Sequence, residues 1–396
     1  MTKKATALLI SFLLLSTLLF QSLTLAKVTA EGQETEYYVK SLVTYSNKGN
    51  TVWNFTERVG DRTVGLFMTN SWQTASLVNS THPIETREND TDGNEIVVLQ
   101  FPEMLLNPGQ NTSYAVTYHV VSKSRTLDDI NETASKSLNE IPLSLKEEYL
   151  GAEGPWLVNN TELQSLAYNV TGDESNVLTI IKNLVAWIAA NIQYEAHEVP
   201  QYPDETLTSR RGDCDDQAIL LITLSRIVGI PAFLQVGALY KQSQLNTSYW
   251  KDHVDVVQKN IGWHGWAIIY IPPWGWLPVD LTYIFGGLRG DPLNAITNAA
   301  VTRQSTIQYM NISRTDQVAS SQESREFLQT NNFYVYIEDE MVDVTPPRNP
   351  LGESGEQLIP LILIIAVALS LASSYFVANR FRRKREKETN SSIDKY

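Results

Sequence analysis

One cysteine, Cys214, is all that this chain of 396 residues contains. An intramolecular disulfide is therefore excluded, and the residue is a free thiol, an intermolecular link or a nucleophile. Histidine is also scarce. Any imidazole base must come from His82, His119, His197, His253 or His264. There is no internal repeat, and Asp213, Asp215 and Asp216 lack the ligand spacing of a loop-type calcium site, so helix capping is the better reading of that acidic run. No metal and no cofactor are expected.

What is present first places the chain in space. Lys3 and Lys4 precede an apolar run over residues 8–20, and small residues follow around Ala26 and Ala30. This order of basic, apolar and small residues predicts a signal peptide over residues 1–30, the alternative being an uncleaved N-terminal anchor. Residues 358–378 carry no formal charge and are long enough to span a bilayer core as a helix. Arg380, Arg382, Arg383, Lys384 and Arg385 follow that segment, whereas Glu353 and Glu356 precede it. Basic flanks remain cytoplasmic. The expectation is a single-pass type I protein of the cell membrane, with a basic cytoplasmic tail over 379–396 and an extracellular portion from about residue 27 to 356.

Nine sequons agree with that orientation: Asn54, Asn79, Asn89, Asn111, Asn131, Asn159, Asn169, Asn246 and Asn311. Each match is weak alone, but together they point to a glycosylated outer surface. The tail carries seven Lys/Arg against three Asp/Glu and the leader two lysines, so the net charge of −13 leaves about −19 on the external portion. Such a surface repels phosphate backbones, and no nucleic-acid partner is expected.

The external portion is long enough for two domains. Residues 31–150 read as strands. The stretches 37–45, 51–55, 95–101 and 114–122 are rich in β-branched and aromatic residues, with Asn-Lys-Gly and Asn-Pro-Gly turns nearby. They predict a β-sandwich-like module that is structural or a substrate platform. Residues 155–340 change pattern. Apolar residues at helical spacing predict helices over 177–192 and 215–228, the second ended by Gly229 and Pro231. Strands follow at 233–240, 266–271 and 275–279, giving an α+β layout with an antiparallel sheet. The polar stretch 241–260 reads as a surface loop rather than a lid. Residues 341–357 read as a stalk.

Cys214 stands where the second helix starts. Unpaired N–H groups there favour a thiolate, which is the attacking form of cysteine, and Asp213 is a good N-cap. The neighbouring aspartates oppose the thiolate, so a cationic partner is needed, and histidine is the natural candidate. His82 and His119 fall in the β-rich region, and His197 and His253 in polar, loop-like sequence. His264 leads into an apolar strand. Asp280 ends the next strand, so a hairpin can bring its carboxylate beside the imidazole and fix the tautomer.

Gly212-Asp213-Cys214, Ala218, Gly229-Ile230-Pro231-Ala232, His264-Gly265-Trp266 and Asp280-Leu281-Thr282 resemble the transglutaminase-like superfamily, with Tyr194 at the family's aromatic position before the core. The resemblance covers about residues 175–290. It implies a helix with an N-terminal cysteine packed on a sheet that supplies histidine and aspartate, and an active-site triad of Cys214, His264 and Asp280. It also implies attack on an amide bond of a protein or peptide substrate through a thioester, followed by hydrolysis or transfer to a lysine amine. Hydrolysis is favoured because water is always present and no site for a second amine can be identified, and a cell-envelope protein is a reasonable substrate from location alone. The alternative from another class is a surface binding or scaffolding protein that keeps the fold without turnover. Cys214 N–H is the first candidate oxyanion donor, while Trp263, Trp266, Trp274 and Trp276 belong either to the site wall or to the core.

Overall fold

The computed structural model describes residues 34–123, 129–250, 253–282, 290–300 and 306–345, and those up to Val344 belong to one compact unit. The expected signal peptide, spanning segment and basic tail lie outside the described residues. Among the described residues, no helix is long and apolar enough to cross a membrane.

The strands are β1 (Glu34–Asn47), β2 (Trp53–Asn54), β3 (Thr63–Gly65), β4 (Gln73–Ser80), β5 (Ile84–Asn89), β6 (Glu95–Leu99), β7 (Leu105–Leu106), β8 (Asn111–Lys123), β9 (Gln193–Tyr194), β10 (Arg211–Gly212), β11 (Ala232–Trp250), β12 (Val254–Ile271), β13 (Gly275–Val279), β14 (Thr306–Ile312) and β15 (Phe333–Asp343). The helices are α1 (Leu143–Tyr149), α2 (Thr161–Thr171), α3 (Val177–Asn191), α4 (Pro203–Ser209), α5 (Cys214–Ile227), α6 (Asn294–Ala300) and α7 (Gln317–Asn331). One sheet runs β14-β11-β12-β15-β1-β8-β4, with β13 paired to β12. The fold is a mixed α+β one.

The three strands expected here, within β11, β12 and β13, pair antiparallel, but the sheet continues beyond them and becomes mixed. β12 and β15 pair in parallel, Val254 opposite Val335 through Lys259 opposite Glu340. The sheet also curls until its two ends touch. Gln73 on β4 donates from Nε2 to the Gln308 carbonyl of β14 at 2.8 Å and accepts from Gln308 N–H at 2.7 Å. Because Gln73 is buried, those two bonds replace water that its amide cannot reach.

The expected change of character near residue 150 is visible, but the sheet passes through it. β1 pairs with β8 on one side and with β15 on the other. The small sheet β3-β6-β5 supplies a second β layer, and Val64, Val97 and Leu99 share a core with Val39, Val116 and Val120. The N-terminal region is thus β-rich, and its larger layer is the sheet that also carries the candidate site. A second core holds α2, α3 and α5 against one face of β11 and β12. In α3, Val177, Ile180, Ile181, Leu184, Val185 and Ile188 are buried, the face that its spacing predicts.

Two local expectations are corrected. Residues 241–260 are largely strand: β11 and β12 extend together, with a register shift between Tyr240 and Leu245. Asn260 and Ser243 adopt positive φ at that irregularity, and Asn260 Oδ1 accepts from Ser243 N–H at 2.9 Å. Polar side chains on a partly exposed ladder hid its strand character. Residues 341–343, expected in the stalk, complete β15 opposite Tyr37, Tyr38 and Val39.

Candidate active site

α5 starts at Cys214, with Asp213 as N-cap in extended conformation. The N-cap is held from within the helix, since Asp216 Oδ2 accepts from Asp213 N–H at 3.1 Å. Gly212 must be glycine for close packing: a Cβ there would stand 2.7 Å from Asp216 Cβ and 3.0 Å from Thr206 Cγ2. Tyr194 pairs with Gly212 in the short parallel ladder of β9 and β10, which sets the aromatic ring near the thiol. Burial first, and then the neighbouring Cys214, push its phenol up to about 12.

α5 lies against β12 at Gly265, where an added Cβ would stand 3.1 Å from Asp215 Cβ. The Gly265 backbone N–H adjoins the thiol and favours its anionic form. His264, one residue earlier, is buried, and its Nε2 lies 2.8 Å from Asp280 Oδ2. Asp280 follows β13 directly, and β13 pairs with β12 through Ala267 and Val279. Its other oxygen, Oδ1, accepts from Thr282 N–H at 2.9 Å. A carboxylate fixed in this way accepts from a protonated Nε2, which leaves Nδ1 of a neutral His264 as the free base. The hairpin expected from sequence therefore forms and joins His264 to Asp280, and the first turn of α5, which carries Cys214, packs on β12 at the next residue, Gly265.

The thiol itself departs from expectation. Cys214 keeps intermediate exposure, but crowding protein atoms raise its pKa well above the ordinary value; Asp215 and Asp213 add to this, and the Gly265 N–H only partly offsets it. Burial and the flanking aspartates thus oppose the thiolate that the helix start favours. Asp215 is likewise raised, by burial and then by its side-chain contact with Asp213. Asp213 Oδ1 is buried without a hydrogen-bond partner in the heavy-atom geometry. Burial and Asp213 thus favour the protonated form of Asp215, for which Asp213 Oδ1 is a ready acceptor.

The upward shift of Asp215 sets the sign of a pH dependence. A carboxyl whose folded pKa is raised adds stability fully below its unfolded pKa of about 3.9, and loses it as pH rises through the folded value. Asp215→Asn keeps an N–H donor at every pH. We expect the variant to melt higher than the parent at pH 8 and to show a flatter melting temperature between pH 5 and pH 8. Equal slopes in thermal denaturation would refute the upward shift. Asp213→Asn keeps a good cap and removes the charge beside the thiol. Its iodoacetamide alkylation profile is expected to move to lower pH than that of the parent.

Sequence reasoning passed over His197. Its Nδ1 lies 2.7 Å from Asp216 Oδ2, and Asp216 is fully buried. Gln201 N–H donates to Asp216 Oδ1 at 2.7 Å, and His197 N–H donates to Asp213 Oδ2 at 3.2 Å. Asp216 thus ties the loop before α4 to the turn that carries the thiol. The cue was available: an acidic residue in the first turn of a helix with a buried start must find donors. The other histidines lie elsewhere. His82 is between β4 and β5, His119 is on β8, and His253 precedes β12 with Nδ1 2.7 Å from the Phe333 carbonyl. The tryptophans divide. Trp266 and Trp276 line a cavity beside His264 and Asp280, whereas Trp263 donates to Asp339 Oδ2 and Trp274 packs against the helical core. Asp213, Cys214 and Asp215 bring their ligand atoms within 4.8 Å of one another, but Asp216 is occupied by the loop contacts above.

Residues 164–281 match the family model described as the transglutaminase-like superfamily. That segment, containing Cys214, His264 and Asp280, is a transglutaminase-like domain. No curated protein matches the chain significantly. Among solved structures, a provisionally assigned cysteine protease from Cytophaga hutchinsonii shares 17% identity over 80% of this chain and 93% of that one, with a TM-score of 0.49. A provisionally assigned protease from Parabacteroides distasonis shares 11% identity over 71% and 68%, at a TM-score of 0.24. Red sea bream transglutaminase shares 11% identity over 76% and 63%, at 0.26. The domain assignment rests on the family match and the site geometry.

Proposed function

We infer that the chain is a cell-surface cysteine enzyme that breaks an amide bond of a protein or peptide through a thioester. The observation that carries this reading is the His264 Nε2 to Asp280 Oδ2 contact of 2.8 Å, one residue before Gly265, where the first turn of α5 packs on the strand.

The steps follow from the resting state. Cys214 Sγ attacks the amide carbonyl carbon as its proton passes to His264 Nδ1. Asp280 stabilises the imidazolium and keeps the ring oriented. The Cys214 N–H, at the first position of α5, has no intrahelical acceptor and is the candidate donor to the oxyanion. His264 returns the proton to the amine nitrogen, the C–N bond breaks, and an acyl thioester remains. Water then attacks the thioester, giving its proton to His264, and the thiol is restored. A lysine amine at this last step would make the enzyme a cross-linking transferase. Hydrolysis is preferred because water is always at hand, whereas an amine acceptor needs a site of its own.

The external location is supported by the leader-like start, the apolar segment at 358–378, its basic flank and the sequons. Five of the sequon asparagines, Asn79, Asn89, Asn111, Asn159 and Asn169, are exposed. Peptide cleavage and incorporation of a labelled amine, measured side by side on the purified protein, test the reading. Cleavage without incorporation is expected; incorporation dominating over cleavage would make it a transferase, and absence of both would leave a surface binding protein.

A further inference from the structure

Residues alternate across β12, so Trp266 and Ile268, on the same side of the strand as His264, lie opposite the body of α5, whose first turn reaches the strand at Gly265. On that opposite face lies a cavity of about 260 Å³ bordered by His264 and Asp280. Whole small-molecule sites run to about 300–1,000 Å³, so this one suits a single side chain. Its walls include Trp72, Phe233, Trp266, Ile268 and Trp276.

Its polar groups are largely engaged with one another. Trp266 Nε1 donates to Gln235 Oε1 at 3.1 Å, and Gln235 Nε2 donates to Asn311 Oδ1 at 2.8 Å. Asp280 is bonded to His264 and Thr282. Among the described residues, no lysine or arginine borders the cavity. A guest therefore finds mainly aromatic surface on the walls named above.

Trp72 comes from the β-rich N-terminal region, and its position is built rather than incidental. Asn70 and Gln73 form a bridge around it, Asn70 Oδ1 accepts from Trp72 N–H at 2.9 Å, and the Gln73–Gln308 pair fastens this turn to β14. The curl of the sheet thus delivers a wall of the cavity from a segment far outside the matched domain.

We propose that this cavity is the subsite for an aromatic side chain on the amine side of the scissile bond, and that Trp72 determines that specificity. The amine side follows because the cavity borders His264, which returns a proton to the amine nitrogen, and does not include Cys214 among its lining residues. This rests on the enzyme reading above and names its substrate class. A larger open cavity of about 710 Å³ between α4 and α7 touches none of Cys214, His264 and Asp280.

The test uses the full chain and blocked peptides that differ only in the residue after the scissile bond: Phe, Gly or Lys. The parent is expected to prefer Phe over Gly by about tenfold or more in kcat/KM, the discrimination that a hydrophobic pocket supplies. Trp72→Ala should reduce that ratio to about twofold, and Trp72→Phe should largely restore it. In parallel, Cys214→Ala protein is titrated with phenylalanine amide by tryptophan fluorescence, with and without Trp72→Ala. Cleavage without a Phe preference, or with a Lys preference untouched by Trp72→Ala, overturns the subsite and leaves the enzyme standing. Binding of phenylalanine amide that depends on Trp72, with no peptide cleaved, sustains the subsite and removes the enzyme. Neither cleavage nor binding removes both.

Discussion

His264→Ala is expected to lower kcat for peptide cleavage by about 10³–10⁴ while leaving the fold intact, because the imidazole serves both proton transfers. Cys214→Ala should abolish turnover, since nothing else among the described residues offers a thiol. Asp280→Asn should cost about 10²–10⁴, through loss of the carboxylate that holds Nε2 and balances the imidazolium. The three act as one unit, so the double variant His264→Ala with Asp280→Asn should be scarcely worse than His264→Ala alone. Steady-state kinetics on one cleavable peptide, with melting temperatures for each variant, check this. Multiplying losses in the double variant would mean that Asp280 acts on substrate independently of His264.

Asp216 should matter most for stability near the site. Asp216→Ala leaves the Asp213 and Gln201 N–H groups and the His197 ring without their acceptor, in a pocket where the carboxylate side chain is fully buried. Losing several bonds of this kind at once is expected to cost about 3 kcal/mol. Burial and the nearby Asp213 push the Asp216 carboxyl up, so its bonds from Gln201 and His197 hold it against that tendency. His197→Ala, which removes one partly exposed partner, should cost less, about 1 kcal/mol. Both variants should also slow catalysis, because the turn they loosen carries Cys214. Chemical denaturation resolves the two losses. An Asp216→Ala protein as stable as its parent would show that the capping loop is dispensable.

The sequence made local features legible and left distant pairings hidden. Asp213 as N-cap located the start of α5 to within one residue, and Gly229 marked its end. Turn residues bounded β13 as Gly275–Val279, and the short hairpin to β12 was enough to place Asp280 against His264. What could not be read was set by partners far along the chain. The outer half of β12 is a strand because β15 lies beside it, some eighty residues later. The Gln73–Gln308 pair that curls the sheet joins two ordinary glutamines 235 positions apart. α7 gave little signal because only Val318 and Leu328 are buried along it. The effect of packing on the thiol was also out of reach: the opposing effects of helix start and aspartates were evident, but only the fold shows how burial adds to the aspartates.

Intact-mass analysis of the purified protein after mixing with an activated ester of a blocked amino acid tests the nucleophile most directly. The expected result is an acyl adduct on Cys214 that hydroxylamine removes, that is absent in Cys214→Ala, and that persists longer in His264→Ala because deacylation lacks its base. An unmodified Cys214 under conditions where the protein cleaves peptide, or cleavage undiminished in Cys214→Ala, would contradict the thioester and with it the assignment of this site.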